Sequence, residues 1–156
     1  MICKKLKGYL DDNGVSYEVV THAEAFTAQE LAAAMHVKGK NLLKVVMLKS
    51  EKGFMMVVLP ADRRVDVASL RSDLGARLAA LASENEFRML FGDCETGAMP
   101  PFGNLYGIPV YVDSSIGEVD EIVFKAGTHY EAVKMRYADF ERLVRPVVLS
   151  ASRKAA

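Results

Sequence analysis

One lysine lies within a run of apolar residues in the first third of the chain. Lys44 follows Leu42-Leu43 and precedes Val45-Val46-Met47-Leu48. A lysine in a buried strand costs free energy unless its ammonium finds polar partners or water. At the wall of a cavity, such an ammonium could hold a carbonyl, carboxylate or phosphate oxygen. The alternative is an edge strand from which the side chain extends outward to solvent.

A stiff loop bounded by glycines is the second candidate for chemistry. It reads Thr96-Gly97-Ala98-Met99-Pro100-Pro101-Phe102-Gly103. Gly97 can adopt a positive φ and lets a ligand approach the backbone closely. The two prolines fix φ and remove two N–H donors. The loop could therefore hold a small substrate through backbone contacts, or it could be a rigid connection between a helix and a strand.

Other common signatures of chemistry are absent from the sequence. There is no glycine-rich dinucleotide turn, phosphate loop or Gly-x-Ser-x-Gly elbow, and no two histidines have the helical spacing of metal ligands. Asp93-Cys94-Glu95 could form one edge of a metal site, but a loop cysteine between two exposed acids is the favoured interpretation. Neighbouring carboxylates raise the pKa of a thiol, which argues against Cys94 as a nucleophile. We expect neither a metal nor another cofactor.

Length and composition predict one globular domain over residues 1–156. Hydrophobic residues make up 51% and charged residues 26% of the chain, which argues against disorder. The longest apolar run, from Phe54 to Leu59, is far shorter than the ~20 residues of a membrane helix. The start of the chain has no apolar stretch behind its charges, so no secretory signal is expected. Cys3 and Cys94, as two free thiols, suit a cytoplasmic protein.

Charge is balanced overall but uneven along the chain. Lysine plus arginine and aspartate plus glutamate both number 20, which makes a general DNA-coating protein an unsuitable interpretation. Residues 1–50 carry seven basic and five acidic side chains, and residues 129–156 carry six and three. If the two ends meet, they could form a small basic face for a local contact with nucleic acid. On charge alone, a well-mixed solvated surface is the favoured alternative.

The periodicity of apolar residues and the helix-capping signals predict an α+β fold. Helices are predicted over 2–13, 28–36, 66–74, 83–91 and 137–144, and strands over 15–19, 42–48, 54–59, 108–112, 121–124 and 133–136. The pair 42–48 and 54–59 is predicted to be a hairpin buried on both faces. Because strands often follow one another directly, a mixed, largely antiparallel sheet is expected rather than alternating βαβ units.

Several stretches occur in an order that resembles the YbaK/ProX family of aminoacyl-tRNA editing domains. They are His22 to Glu30, Lys44 in its apolar strand, Leu59-Pro60-Ala61, Asp93 to Gly103, Tyr106 to Asp113, Ala126-Gly127-Thr128-His129, and Tyr137 to Leu143. The resemblance runs from about residue 14 to about residue 146. It implies a curved, nearly closed mixed sheet with flanking helices. The residue after the lysine is usually Thr or Asn in this family, whereas this chain has Val45.

The resemblance also implies an activity. It predicts a stand-alone, trans-editing deacylase that hydrolyses the ester of a mischarged tRNA carrying a small amino acid, similar to the domain inserted in some bacterial prolyl-tRNA synthetases. The acceptor end of aminoacyl-tRNA would be the partner, together with a synthetase in some settings, and neither DNA nor a membrane is expected. An aminoacyl ester is already activated, so its hydrolysis needs positioning and oxyanion stabilisation more than a strong nucleophile. The terminal ribose hydroxyl of the tRNA could help activate water.

The predicted site has three groups of residues. The family's catalytic lysine falls on Lys44. The predicted substrate-binding residues are Phe26, Thr27, Gly97, Met99, Pro100, Pro101, Gly127 and His129. The predicted tRNA contacts are Lys38, Lys40, Arg136 and Arg142, from the two net-positive ends. His129 could equally be a core or loop-capping residue, and core packing is the preferred role for Met47.

Two alternative functions use the same pocket. One is a non-catalytic module that binds aminoacyl-tRNA or a synthetase, because a pocket can persist after activity is lost. The other is a hydrolase of smaller amino-acid esters. The joint presence of Lys44 and the glycine-proline loop favours an enzyme over the binding module. The hydrolase of smaller esters would use the same residues and differs only in the tail of its substrate.

Overall fold

The computed structural model describes residues 2–154, which form an α+β fold. The α-helices are α1 (Lys4–Asp12), α2 (Ala28–Met35), α3 (Val67–Asp73), α4 (Glu84–Phe87) and α5 (Tyr137–Val144). The strands are β1 (Tyr17–Thr21), β2 (Leu43–Ser50), β3 (Gly53–Pro60), β4 (Arg63–Val65), β5 (Ala79–Leu81), β6 (Val110–Asp113), β7 (Glu121–Thr128), β8 (Glu131–Arg136), β9 (Val147–Leu149) and β10 (Ser152–Lys154). None of the described helices is long and apolar enough to cross a membrane.

The described strands form three sheets. The largest has the order β5-β2-β3-β6-β9, the second β1-β8-β7, and the third contains only β10 and β4. Five of these strand pairs are antiparallel, and β3-β6 and β6-β9 are parallel. The predicted α+β class with mixed, largely antiparallel pairing is therefore confirmed.

The prediction of one nearly closed sheet is wrong. The five-stranded and three-stranded sheets are separate, and they meet at an isolated bridge between Leu42 and Val123. The reason lies in the connection between β6 and β7. A 3₁₀ helix over Ser114–Glu118 carries the chain from one sheet to the other, and β7 then pairs with β8.

Local capping signals were reliable guides to where the helices begin. The Thr27 hydroxyl accepts a hydrogen bond from the Glu30 amide at 3.0 Å and caps α2. Asp66 caps α3 in the same manner through the Ser69 amide at 3.1 Å. The predicted helix 83–91 does begin with a capping box, but it continues beyond Phe87 as a 3₁₀ helix.

The β2–β3 hairpin is buried on both faces, as predicted. Met56 and Val58 of β3 pack into the main core together with Met47, which is 3% exposed and so has the core role expected of it. The alternate residues of β3, such as Val57 and Leu59, pack into a second core on the opposite face. The hairpin is consequently a rigid wall on which a site can be built.

Candidate functional site

A cavity of about 220 Å³ lies where β2, the start of α2, the glycine-proline loop and β7 meet. Its wall is made of one aromatic side chain, several aliphatic ones and two lysines. The lining residues are Phe26, Ala28, Gln29, Leu31, Leu42, Leu43, Lys44, Val45, Gly97, Met99 and Lys125. The structure thus brings together Lys44, Phe26, Gly97 and Met99, which are far apart in the sequence.

One wall of the cavity is a strand edge that no described strand covers. β5 pairs with β2 only over Leu48–Ser50. The Met47 carbonyl also faces that side, since it accepts a hydrogen bond from the Ala82 amide at 2.9 Å. The backbone groups of alternate residues point to the same edge of an antiparallel strand, so the N–H and C=O of Val45 face that edge as well. Since Val45 lines the cavity, these two groups can bind a ligand.

Lys44, the residue before Val45, is half-buried and lines the same cavity. Its Nζ donates to the Ala61 carbonyl oxygen at 3.4 Å. Burial lowers the pKa of Lys44, and the nearby positive charge of Arg64 lowers it further. The structure therefore favours the cavity-wall interpretation, because the backbone of Lys44 pairs with Leu59 of β3 while its side chain lines the cavity.

A second lysine, Lys125 in β7, was missed in the sequence analysis. Its Nζ donates to the Phe26 carbonyl at 2.8 Å and lies 3.3 Å from Nδ1 of His129. Burial lowers the pKa of Lys125, because desolvation penalises the ammonium. The signal that could have found it is the one that drew attention to Lys44, namely a single cation among apolar strand residues, here Ile122 to Ala126.

His129 connects Lys125 to the glycine-proline loop from behind the cavity wall. It is 6% exposed, and its ring stacks on Phe26 with centroids 4.6 Å apart. Nδ1 also lies 3.2 Å from the Ala25 carbonyl, and Nε2 lies 2.9 Å from the Thr96 carbonyl. A carbonyl oxygen can only accept, so the 2.9 Å contact with Thr96 places a proton on Nε2. In the neutral ring Nδ1 then carries a lone pair, which accepts from Lys125 and makes no hydrogen bond with the Ala25 carbonyl.

The glycine-proline loop meets the cavity at Gly97 and Met99. Gly97 has φ +85°, as its predicted role requires, and it packs against the His129 ring. The loop is also anchored to β7, since the Gly127 amide donates to Ala98 O at 2.8 Å. Pro100 and Pro101 are buried, and neither is among the residues that line the cavity.

The remaining residues of the predicted substrate-binding set lie around the cavity rather than on its wall. Thr27 caps α2. Gly127 packs against Cys3, where a β-carbon would lie 2.9 Å from that of Cys3. Direct substrate contact by either residue stays a prediction.

The predicted tRNA contacts do not form one uniform face. Lys38 and Lys40 border a surface depression that includes Asp120 and Glu121, and Arg136 borders the neighbouring one with the same two acids. Arg142 makes an ion pair with Asp139 at 3.3 Å in α5. Acidic side chains therefore accompany the basic ones, and binding of tRNA by these four residues stays a prediction.

The two cysteines are close together in space. Ligand atoms of Cys3, Asp93 and Cys94 lie within 4.8 Å of one another, which the sequence analysis did not anticipate. The contact with the Cys3 sulfur, together with burial, raises the pKa of the Cys94 thiol. Cys94 is therefore poorly suited to be a nucleophile, mainly because of Cys3 rather than the flanking carboxylates.

The site as a whole is suited to bind a small acyl group that carries oxygen and nitrogen atoms beside a short apolar side chain. Its apolar side chains can enclose a short side chain, and two ammonium groups and a strand edge can hold oxygen and nitrogen atoms. Fold and site together define a small α+β protein with one lysine-lined binding pocket between two sheets and a loop.

Comparison with known proteins identifies the family. Residues 22–143 match the aminoacyl-tRNA editing domain, and the chain belongs to this family. It is 29% identical over 157 residues to the Multifunctional Ser/Thr-tRNA deacylase ProXp-y of Escherichia coli (strain K12), covering 97% of this chain and 93% of that protein.

Two further similarities extend the comparison. The chain is 24% identical to the Proline--tRNA ligase of Bacillus cytotoxicus over 109 residues, which are 70% of this chain and 19% of the ligase. The fold is similar to that of a candidate trans-editing enzyme for prolyl tRNA synthetase, with a TM-score of 0.84, 23% identity and 96% of each chain covered.

Proposed function

We propose that the protein is a stand-alone deacylase that hydrolyses the ester of a mischarged aminoacyl-tRNA. The observation that carries the proposal is the meeting of Lys44 and the Gly97 loop at one cavity. Membership of the editing-domain family supports it, as does the similarity to a Ser/Thr-tRNA deacylase over almost the whole of both chains.

The chemistry follows from what each wall of the cavity can offer. Ester hydrolysis passes through a tetrahedral intermediate whose oxygen is negatively charged, and fixed donors lower its free energy. The Lys44 ammonium acts as a cation near the ester, and the Val45 N–H on the open strand edge is a second donor. The Gly97 loop brackets the aminoacyl group, and the terminal ribose hydroxyl helps to activate the attacking water. Burial lowers the pKa of Lys44 from the ordinary value of a lysine, which is ~10.4.

The size and lining of the cavity support a small amino acid as the group that is removed. A cavity of about 220 Å³ with leucine, valine and methionine walls can enclose a short apolar side chain. One methylene group changes binding in such a pocket by only ~1–3 kcal/mol. Editing after aminoacylation is therefore a way to reach higher accuracy than a single binding step allows.

Release of free amino acid from a panel of mischarged tRNAs tests the proposal. The parent protein should deacylate at least one tRNA carrying a small amino acid, and Lys44→Ala should reduce kcat/KM by at least about 100-fold, or ~2.7 kcal/mol. Lys134→Ala is the matched control, since Lys134 lies in β8 and contacts Glu121 at 3.9 Å, away from the cavity lining.

Two results would contradict the proposal. If a folded Lys44→Ala variant cleaves at the parental rate, Lys44 is not catalytic. If the parent binds aminoacyl-tRNA but releases no amino acid from any member of the panel, the non-catalytic binding module is the correct interpretation.

A further inference from the structure

A short antiparallel ribbon formed by β4 and β10 concentrates positive charge. Arg153 lies opposite Arg64, and Lys154 lies opposite Arg63. We call these four residues the basic ribbon. Like charges directly opposite one another destabilise a strand pair. The ribbon is therefore a costly arrangement for stability alone, and an anionic partner would offset the repulsion.

Arg63 attaches the ribbon to the rest of the protein, whereas the other three residues of the ribbon are exposed. Arg63 is half-buried, with Nε donating to the Ser152 hydroxyl at 2.5 Å and lying 3.8 Å from Asp113. Asp113 also accepts from the Ala151 amide at 2.8 Å, which fixes the start of β10. Arg64, Arg153 and Lys154, by contrast, are exposed. Because side chains alternate along a strand, Arg64 and Arg153 are exposed on one face of the ribbon and Lys154 is exposed on the other, beside Arg63.

A surface depression beside the ribbon has the composition of an anion site. It is lined by Lys40, Pro60, Asp62, Arg63, Ser115 and Lys154. Asp113 lies beside Arg63, and the other two cations of the depression, Lys40 and Lys154, outnumber its carboxylate, Asp62. Arginine and lysine side chains in this arrangement bind phosphate oxygens through charge-assisted hydrogen bonds.

The turn between β3 and β4 links the depression to the cavity. Pro60 and Asp62 of this turn line the depression, and the carbonyl of Ala61 between them accepts a hydrogen bond from Lys44 of the cavity wall. Arg64 is near enough for its charge to lower the pKa of Lys44. In an aminoacyl-tRNA the ester is on the terminal ribose, and the nearest phosphate belongs to the same nucleotide. A substrate with its ester at Lys44 therefore has its first phosphates within reach of the ribbon.

We propose that the basic ribbon, together with Lys40, binds the phosphates of the single-stranded 3′ end of aminoacyl-tRNA. The proposal rests on the proposed function, and it names the surface that receives the polynucleotide part of the substrate. Strand β10, the last described strand of the chain, supplies half of this contact surface, and no residue of β10 was among the tRNA contacts predicted from the sequence.

The test compares two triple variants that remove equal charge. Arg64→Gln/Arg153→Gln/Lys154→Gln changes the exposed members of the ribbon and leaves Arg63 in place. The control, Lys52→Gln/Arg77→Gln/Arg88→Gln, changes three exposed cations away from the ribbon. Lys52 lies at the β2–β3 turn, seven residue pairs or about 20 Å along the hairpin from Pro60.

Binding of labelled, deacylated tRNA is measured by fluorescence anisotropy between about 50 and 200 mM salt. The ribbon variant should lose at least 10-fold in affinity, and its slope of log K against log salt should be shallower by about 2, since each lost single-strand contact contributes ~0.7. The control should lose less than 3-fold. On an aminoacyl ester of adenosine, which has no phosphate, the double variant Arg153→Gln/Lys154→Gln should retain the parental kcat/KM, because it leaves Arg64 and its effect on Lys44 in place.

Equal losses in both triple variants, or parental tRNA binding by the ribbon variant, would overturn the proposal. A loss by the double variant on the adenosine ester as large as that on tRNA would overturn it too, because the ribbon would then act through the cavity. Failure of the proposed function is a separate result, in which the parent releases no amino acid from any substrate while the anisotropy assay still reports on the ribbon.

Discussion

Replacing Gly97 by alanine separates a role in substrate binding from a role in loop shape. At φ +85° a side chain is strained, which costs about 1–2 kcal/mol. The added β-carbon would lie 3.5 Å from Cε1 of His129, an ordinary contact, so no clash adds to the strain. For a chain of this length, the expected fall in Tm is about 2–8 °C, because 1 kcal/mol corresponds to ~2–4 °C.

Activity should fall more than this loss of stability explains. The new methyl group lies at the wall of a cavity of only about 220 Å³, where the aminoacyl group is proposed to bind. We expect kcat/KM for the best aminoacyl-tRNA to fall by at least about 10-fold, or ~1.4 kcal/mol, in protein that is still folded at the assay temperature.

Gly107→Ala is the matched control. Gly107 has a similar φ of +71°, nothing lies within 4 Å of its added β-carbon, and it does not line the cavity. Thermal unfolding should show similar losses for the two variants, while deacylation kinetics should show a loss for Gly97→Ala alone. Parental kinetics for Gly97→Ala would refute the reasoning, because the loop would then be a connection without substrate contact.

Three further predictions concern neighbouring residues. Gly127→Ala should cost about 2–5 kcal/mol in urea unfolding, because a clash with Cys3 adds to strain at φ +108°; a loss no larger than in the strain-only control would contradict this. Lys125→Met should lower kcat/KM at least about 10-fold, since one of the two ammonium groups of the cavity wall is lost, with little change in stability because desolvation penalises this half-buried ammonium, whereas Lys134→Met should change neither. Val45→Thr should raise kcat/KM for Ser-tRNA relative to Ala-tRNA up to about 10-fold, since a neutral hydrogen bond contributes ~0.5–1.5 kcal/mol; an unchanged ratio would place the hydroxyl out of reach.

Local signals in the sequence were sufficient for much of the fold and for part of the site. Capping residues such as Thr27 and Asp66 predicted helix starts correctly, because a cap involves only residues three positions apart. The β2–β3 hairpin followed from two apolar runs and a short turn. Lys44 was recognised as a charge among apolar residues, and the Gly97 loop was recognised as a stiff segment bounded by glycines.

The short strands and their pairing partners could not be predicted from local sequence patterns. β4, β5, β9 and β10 have three residues each, too few for an alternating pattern to emerge. The division into separate sheets was missed as well, because pairing depends on where a 3₁₀ helix directs the chain between β6 and β7.

The sequence by itself determined which residue types were available for chemistry, and the tertiary structure decided which of them meet. Lys125 reaches the cavity because β7 lies opposite the loop of Phe26, a contact across 99 residues. Arg64 faces Arg153 because β10 returns to pair with β4. Such contacts depend on long-range strand pairing and burial, whose free energies are sums over many distant residues and leave no periodic signal in the local sequence.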